Sequence, residues 1–211
     1  MRLWPTTGLW RHGDFLRLWS GQTISQFGSQ ISQLAIPLAA IIVLDASAFE
    51  VALLSGIEFL PFLLLTLPAG VWVDRLRKRP ILIWSDVGRA IALVSVPIAY
   101  AFDVLTIGQL FVVGFVVGSL TVTFDVAYQT YLPALVGRSE LVSGNSLLEI
   151  SRNGAQIAGP GVGGVLVGAL TAPYAILLDA ASFVGSALLL FRIRAHEARP
   201  EPAEHPDMLR E

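Results

Sequence analysis

Asp86 and Arg89 stand three residues apart inside an apolar stretch of helix length, and Glu149 and Arg152 repeat that spacing in another. Ionisable side chains in such hydrocarbon-rich surroundings are expensive and mark functional positions by default. Three apart on a helix, each pair can neutralise itself. Alternatively, both pairs can reach Asp74 and the basic residues after it, forming an inner charge network that latches one conformation. Glu58 lies 16 residues before Asp74, about 24 Å away along a helix. Asp125 shares a helix face with Thr121 and Gln129, each four residues away, and precedes Pro133 by eight. It can carry a proton, or it can be a helix-end acid paired with Arg138 or Arg152.

A second pattern is neutral. Gln22, Ser25, Gln26, Ser29, Gln30, Ser32 and Gln33 share one side of a helical wheel, while Ile24, Phe27, Ile31, Leu34 and Ala35 share the other. A polar stripe in lipid must face protein or water, so it is either glue between helices or a cavity wall. Further on, Gly159-Pro160-Gly161-Val162-Gly163-Gly164 combines a kink-permitting proline with small residues four apart, Gly159/Gly163 and Gly164/Gly168. Such pairs let another helix approach closely. Enzymatic motifs are missing from the sequence. His12, His196 and His205 lie outside the apolar stretches, and no H-E-x-x-H, G-x-S-x-G or G-x-x-x-x-G-K-[ST] occurs. With no cysteine at all, disulfide, thiolate-metal and Cys-nucleophile chemistry are excluded. No catalytic residue, metal, cofactor or nucleic-acid partner is expected.

The elements that must hold these groups are membrane helices. The chain has 211 residues, 54% hydrophobic and 14% charged, where a soluble domain carries about 25% charged residues. Roughly 20 apolar residues cross the hydrocarbon. That length predicts an all-α, six-helix transmembrane domain over 1–191, with spans at 16–44, 50–73, 81–102, 105–131, 144–170 and 174–191. All Lys and Arg residues except Arg89 and Arg152 fall at the N-terminus, in the 74–80 loop, at Arg138 or after the sixth span. The 45–49, 103–104 and 171–173 loops have none, so the positive-inside rule predicts a multi-pass cell (inner) membrane protein with both termini cytoplasmic. Trp4, Trp10, Trp19, Trp72 and Trp84 fall near the inner interface and Tyr100 and Tyr174 near the outer one. Residues 192–211 read as a cytoplasmic tail or linker. No signal peptide is read at the N-terminus, so the first span is expected to be the first anchor.

The junction Gly70-Val71-Trp72-Val73-Asp74-Arg75-Leu76-Arg77-Lys78-Arg79-Pro80-Ile81 resembles the loop between helices 2 and 3 of major facilitator superfamily transporters, G-x-L-A-D-R-x-G-R-[KR]-x-[LIV]. Gly70, Asp74, Arg75, Lys78, Arg79 and Ile81 fit. Trp72 and Val73 replace Leu-Ala, and Arg77 stands for the second Gly. The Gly159 to Gly164 run is similar to the G-P-x-x-G-G signature of facilitator antiporters, and Phe15-Leu16-Arg17-Leu18-Trp19 resembles the entry of the enterobactin-exporter-like, drug-efflux branch. The resemblance implies one six-helix half, built of two inverted three-helix repeats, of a transporter exporting a hydrophobic compound or siderophore by proton antiport. It makes Gly70, Asp74, Arg75, Lys78 and Arg79 a gating motif. It places Gln22, Gln26, Ser29, Gln33, Glu58, Thr121, Asp125 and Gln129 on the substrate or proton path, since helices 1 and 4 line it, and leaves peripheral Asp179 to packing or hydrogen bonding. The implied partners are the lipid bilayer, a small-molecule substrate, and a second six-helix half or another copy of the chain. The competing expectation is a non-transporting subunit or truncated fragment that needs such a half.

Overall fold

The computed structural model describes residues 8–137 and 139–195 and, at Asp74, the backbone alone. Arg138, His196, His205 and most of the predicted tail lie outside the described residues, as does the Asp74 side chain. Apart from a short 3-10 turn at Leu9–Arg11, the described residues form six helices: α1 Gly13–Leu44, α2 Ala48–Asp74, α3 Lys78–Ala101, α4 Ile107–Val136, α5 Leu141–Leu170 and α6 Ala172–Phe191. α1, α2, α3, α4 and α6 are long and apolar enough to cross a membrane. α5 has the length but not the apolarity. Asn145, Glu149, Arg152, Asn153 and Gln156 crowd its first sixteen residues and glycines much of the rest, so the fifth of the six expected spans is the polar one. α4 also runs past the predicted end at 131 to Val136 with Pro133 inside it. So near a helix end, Pro133 sacrifices one hydrogen bond without stopping the helix.

Local chemistry sets the turns. Ser47 and Glu50 form a capping box at the start of α2: the Ser47 hydroxyl accepts the Glu50 N–H at 3.3 Å and the Glu50 carboxylate accepts the Ser47 N–H at 2.8 Å. Thr106 caps α4 through the Gln109 N–H at 3.3 Å, and His12 Nδ1 caps α1 by accepting the Phe15 N–H at 3.3 Å. The connections at 45–47, 102–106 and 171 share one end of the bundle, where Tyr100 and Tyr174 meet edge to face at 5.6 Å. At the other end Trp10 meets Trp19 at 5.8 Å.

The helices pack in the order α2–α4–α3–α6–α1–α5, each mainly against its neighbours in that series. Exchanging α1, α2, α3 for α4, α5, α6 leaves this order unchanged, merely reversed. That is the signature of two structurally equivalent three-helix repeats. Two apolar cores result. One, with Ile31, Leu54, Leu93, Leu110, Ile176 and Phe183, lies toward the tyrosine end. The other, with Phe15, Leu82, Phe124, Leu132, Leu148 and Leu190, lies toward the tryptophan end. Asp86, Arg89, Asp179 and Ser182 are buried alongside them.

Candidate functional site

A cavity of about 600 Å³ opens beside these buried charges, within the range of small-molecule sites. One wall is the stripe on α1. Gln22, Ser25, Gln26, Ser29, Gln30, Ser32 and Gln33 all line the cavity. On the other side of the α1 wheel, Ile31 and Ala35 enter the core and Ile24 is exposed. The opposite wall is α4, with Thr121, Asp125 and Gln129 on one face. α2 contributes Glu58 and Phe62. The eight residues placed on the path from sequence therefore all border one space.

Glycines set how closely those walls stand. A Cβ on Gly118 would come within 2.5 Å of the Glu58 carbonyl oxygen, and one on Gly114 within 2.8 Å of Glu58 Cγ, so α2 is seated on α4 at Glu58. Gly28 lets α1 lie against Asp179 and Ser182 of α6. Within the antiporter-like motif, a Cβ on Gly159 would overlap the Gln30 side chain, and one on Gly163 would come within 3.5 Å of Ile31 Cα, so these two seat α5 on α1. Gly164 and Gly168 meet nothing within 4 Å. No helix of the described chain uses that second pair. Pro160 is exposed within α5.

Of the four residues expected to form an inner charge network, the structure makes two separate i, i+3 pairs. Asp86 and Arg89 form a buried ion pair. The Arg89 guanidinium lies between two rings, 4.6 Å from the centre of Phe124 and 4.1 Å from that of Phe183, and its Nη1 donates to Thr121 Oγ1 at 3.4 Å. Its Nε has no hydrogen-bond partner among the described residues, so the two ring faces supply stabilisation that water cannot reach to give. Glu149 and Arg152 are 4.0 Å apart with side chains 61% and 57% exposed, a pair worth little by itself. No described ion pair joins the two sets, or Asp125 to Arg152.

The residues expected to form a gating motif lie around the junction of α2 and α3. Gly70 and Arg75 are open to the surroundings, and Lys78 begins α3. Arg79 reaches the end of α6: its Nε donates to Leu190 O at 3.1 Å and its Nη2 to Phe191 O at 2.5 Å. Both carbonyls belong to the last turn, where cations are favoured. Beside them, the Asp14 carboxylate accepts the Arg194 N–H at 3.2 Å and pairs with Arg17.

Sequence reasoning missed several lining residues. Asp179 does hydrogen-bond as expected, accepting from Ser182 Oγ at 3.2 Å, but it also borders the cavity, as do Arg89 and Phe183. Asn145, Glu149, Arg152 and Gln156 all line it from α5. Their spacing of four, three and four is a polar stripe that was present to be read. Among the described residues no His, Asp or Glu cluster could hold a metal ion.

The family model described as transmembrane secretion effector matches residues 6–208. An uncharacterized MFS-type transporter, YfiS of Bacillus subtilis (strain 168), is 29% identical over 83% of this chain and 41% of its own length. The multidrug efflux pump Tap of Mycolicibacterium fortuitum is 29% identical over 73% of this chain and 39% of its own length. The chain thus spans about two fifths of the curated relatives it matches. No solved structure matches it.

Proposed function

Because the chain belongs to the transmembrane secretion effector family of the major facilitator superfamily, we propose that it works as one half of a secondary active transporter that exports a small hydrophobic compound or a siderophore in exchange for protons. The observation that carries this reading is the cavity itself. Neutral amides and hydroxyls from α1 and α4 face each other, with a few charged groups among them, across a space of about 600 Å³ between the two apolar cores of the bundle. Polar groups so placed are costly in lipid unless they serve a solute or water. An efflux pump among its relatives supports the outward direction.

Gln33, Gln129 and Gln156 are exposed at the cavity's edge, and the lone chain offers them no cover. A second six-helix half, or another copy, completes the wall. The basic end carrying Arg11, Arg75, Arg77, Lys78 and Arg192 faces the cytoplasm under the positive-inside rule. There Gly70, Asp74, Arg75, Lys78 and Arg79 act as the inner gate. Asp125 is the coupling carboxylate: it stands on the cavity wall within the fields of Arg89 and Arg152, yet is bonded to neither. A carboxylate so poised can exchange a proton for a cationic contact as the gate rearranges.

The test is export driven by an imposed pH gradient in proteoliposomes holding the transport-competent assembly. Asp125→Asn is expected to lose the dependence on the gradient while retaining substrate binding. Unchanged gradient-driven export by that variant would overturn the coupling role.

A further inference from the structure

The charged groups in the middle of the bundle have counterparts, with one exception. Asp86 bonds Arg89, Glu149 lies 4.0 Å from Arg152, Asp125 stands in the fields of both arginines, and Asp179 accepts from Ser182 and feels Arg89. Glu58 has none of these. Among the described residues it makes no hydrogen bond and no ion pair, and no basic side chain acts on it.

Its position is nevertheless fixed. Gly114 and Gly118 seat the Glu58 backbone and Cγ directly on α4, so the side chain cannot leave by a small shift of α2. Glu58 is the eleventh residue of α2, which puts it about 15 Å from the start of that helix, at mid-depth of the span. It borders the cavity, and so do Ile36, Phe62 and Val117. Phe62, one turn further along α2, is stacked on Phe59 at 5.4 Å. A carboxylate in these surroundings is costly without a positive partner. An aromatic face one turn away suits the apolar or π-attracted part of a cation.

We propose that Glu58 is the anchoring carboxylate for a positively charged substrate, an amphipathic organic cation whose apolar body rests against Ile36, Phe62 and Val117. This rests on the reading of the cavity as a substrate path and divides the two substrate classes named for it. A hydrophobic cation supplies the charge that Glu58 lacks, whereas an acidic siderophore would meet an uncompensated negative charge.

A pair of probes of one shape and opposite charge tests it: tetraphenylphosphonium and tetraphenylborate, measured by equilibrium dialysis against the full chain in nanodiscs, with empty nanodiscs subtracted. The wild type is expected to bind tetraphenylphosphonium saturably and to show no saturable site for tetraphenylborate. Glu58→Gln should weaken the cation about tenfold or more, the worth of a charge-assisted contact. Glu58→Asp, which keeps the charge, should recover most of that loss. Thermal midpoints of both variants at or above the wild-type value exclude unfolding as the cause. A wild type that binds the borate as well as the phosphonium overturns the proposal without any variant. So does Glu58→Gln with wild-type affinity, which would leave Glu58 to protons alone. Cation binding that depends on Glu58, in an assembly without proton-driven export, would uphold this inference and remove the antiport reading instead.

Discussion

Arg89 shows what a single residue can owe to distant parts of a chain. Asp86 was legible as its partner because three residues on a helix bring the two together. The rings above and below it were not. Phe124 and Phe183 come from α4 and α6, and nothing in a linear sequence separates a phenylalanine facing an arginine from one facing lipid. Removing the guanidinium exposes the arrangement. Arg89→Ala leaves Asp86, 0% exposed, without its counter-charge, and the expected loss is about 3–5 kcal/mol. Replacing both partners, Asp86→Asn with Arg89→Met, should recover much of it, because a neutral pair needs no counter-charge. Thermal unfolding in detergent measures both. A single variant as stable as the wild type would mean that the pair is hydrated and the burial wrong.

At the scale of elements, the glycine run of α5 separates into two uses that the sequence alone could not tell apart. Gly159 and Gly163 are spaced as Gly164 and Gly168 are, yet only the first pair meets a neighbour, because α1 passes on that side of α5. Gly159→Ala should therefore drive a methyl group into Gln30 and cost about 1–3 kcal/mol. Gly164→Ala, in open space, should leave the melting temperature of the isolated chain unchanged or raise it through better helix propensity. Equal effects from the two would contradict the packing of α1 on α5. Helix ends were legible to within a few residues, since the expected start at 50 falls two residues inside α2, which Ser47 caps, and the expected end at 131 falls short of Val136 because a terminal turn absorbs Pro133 in α4.

For the molecule as a whole, the six-helix architecture was readable because apolar length is set by bilayer thickness and the 70–81 junction is specific in its residues. The site was readable in part: stripes on α1 and α4 announce a polar face, but which faces converge depends on packing order, which periodicity does not contain. Sidedness yields a direct measurement. Ser47→Cys and Asp103→Cys lie on exposed connections at the end without lysine or arginine, and Ser139→Cys lies at the basic end. In intact cells an impermeant thiol reagent should label the first two and spare the third. The reverse pattern would invert the orientation and the assignment of the gate with it.

The double hold on the end of α6 carries a mechanical consequence. Arg79 grips the last carbonyls of that helix from α3, and Asp14 grips the Arg194 amide from α1. Residues 192–195, the last ones described, therefore leave α6 from an anchored point and not from a fraying helix end. With α3 and α1 fastened to the same terminus, α6 acts as a shared strut, and a displacement of α3 is passed to α1 through these two clamps as well as through the core.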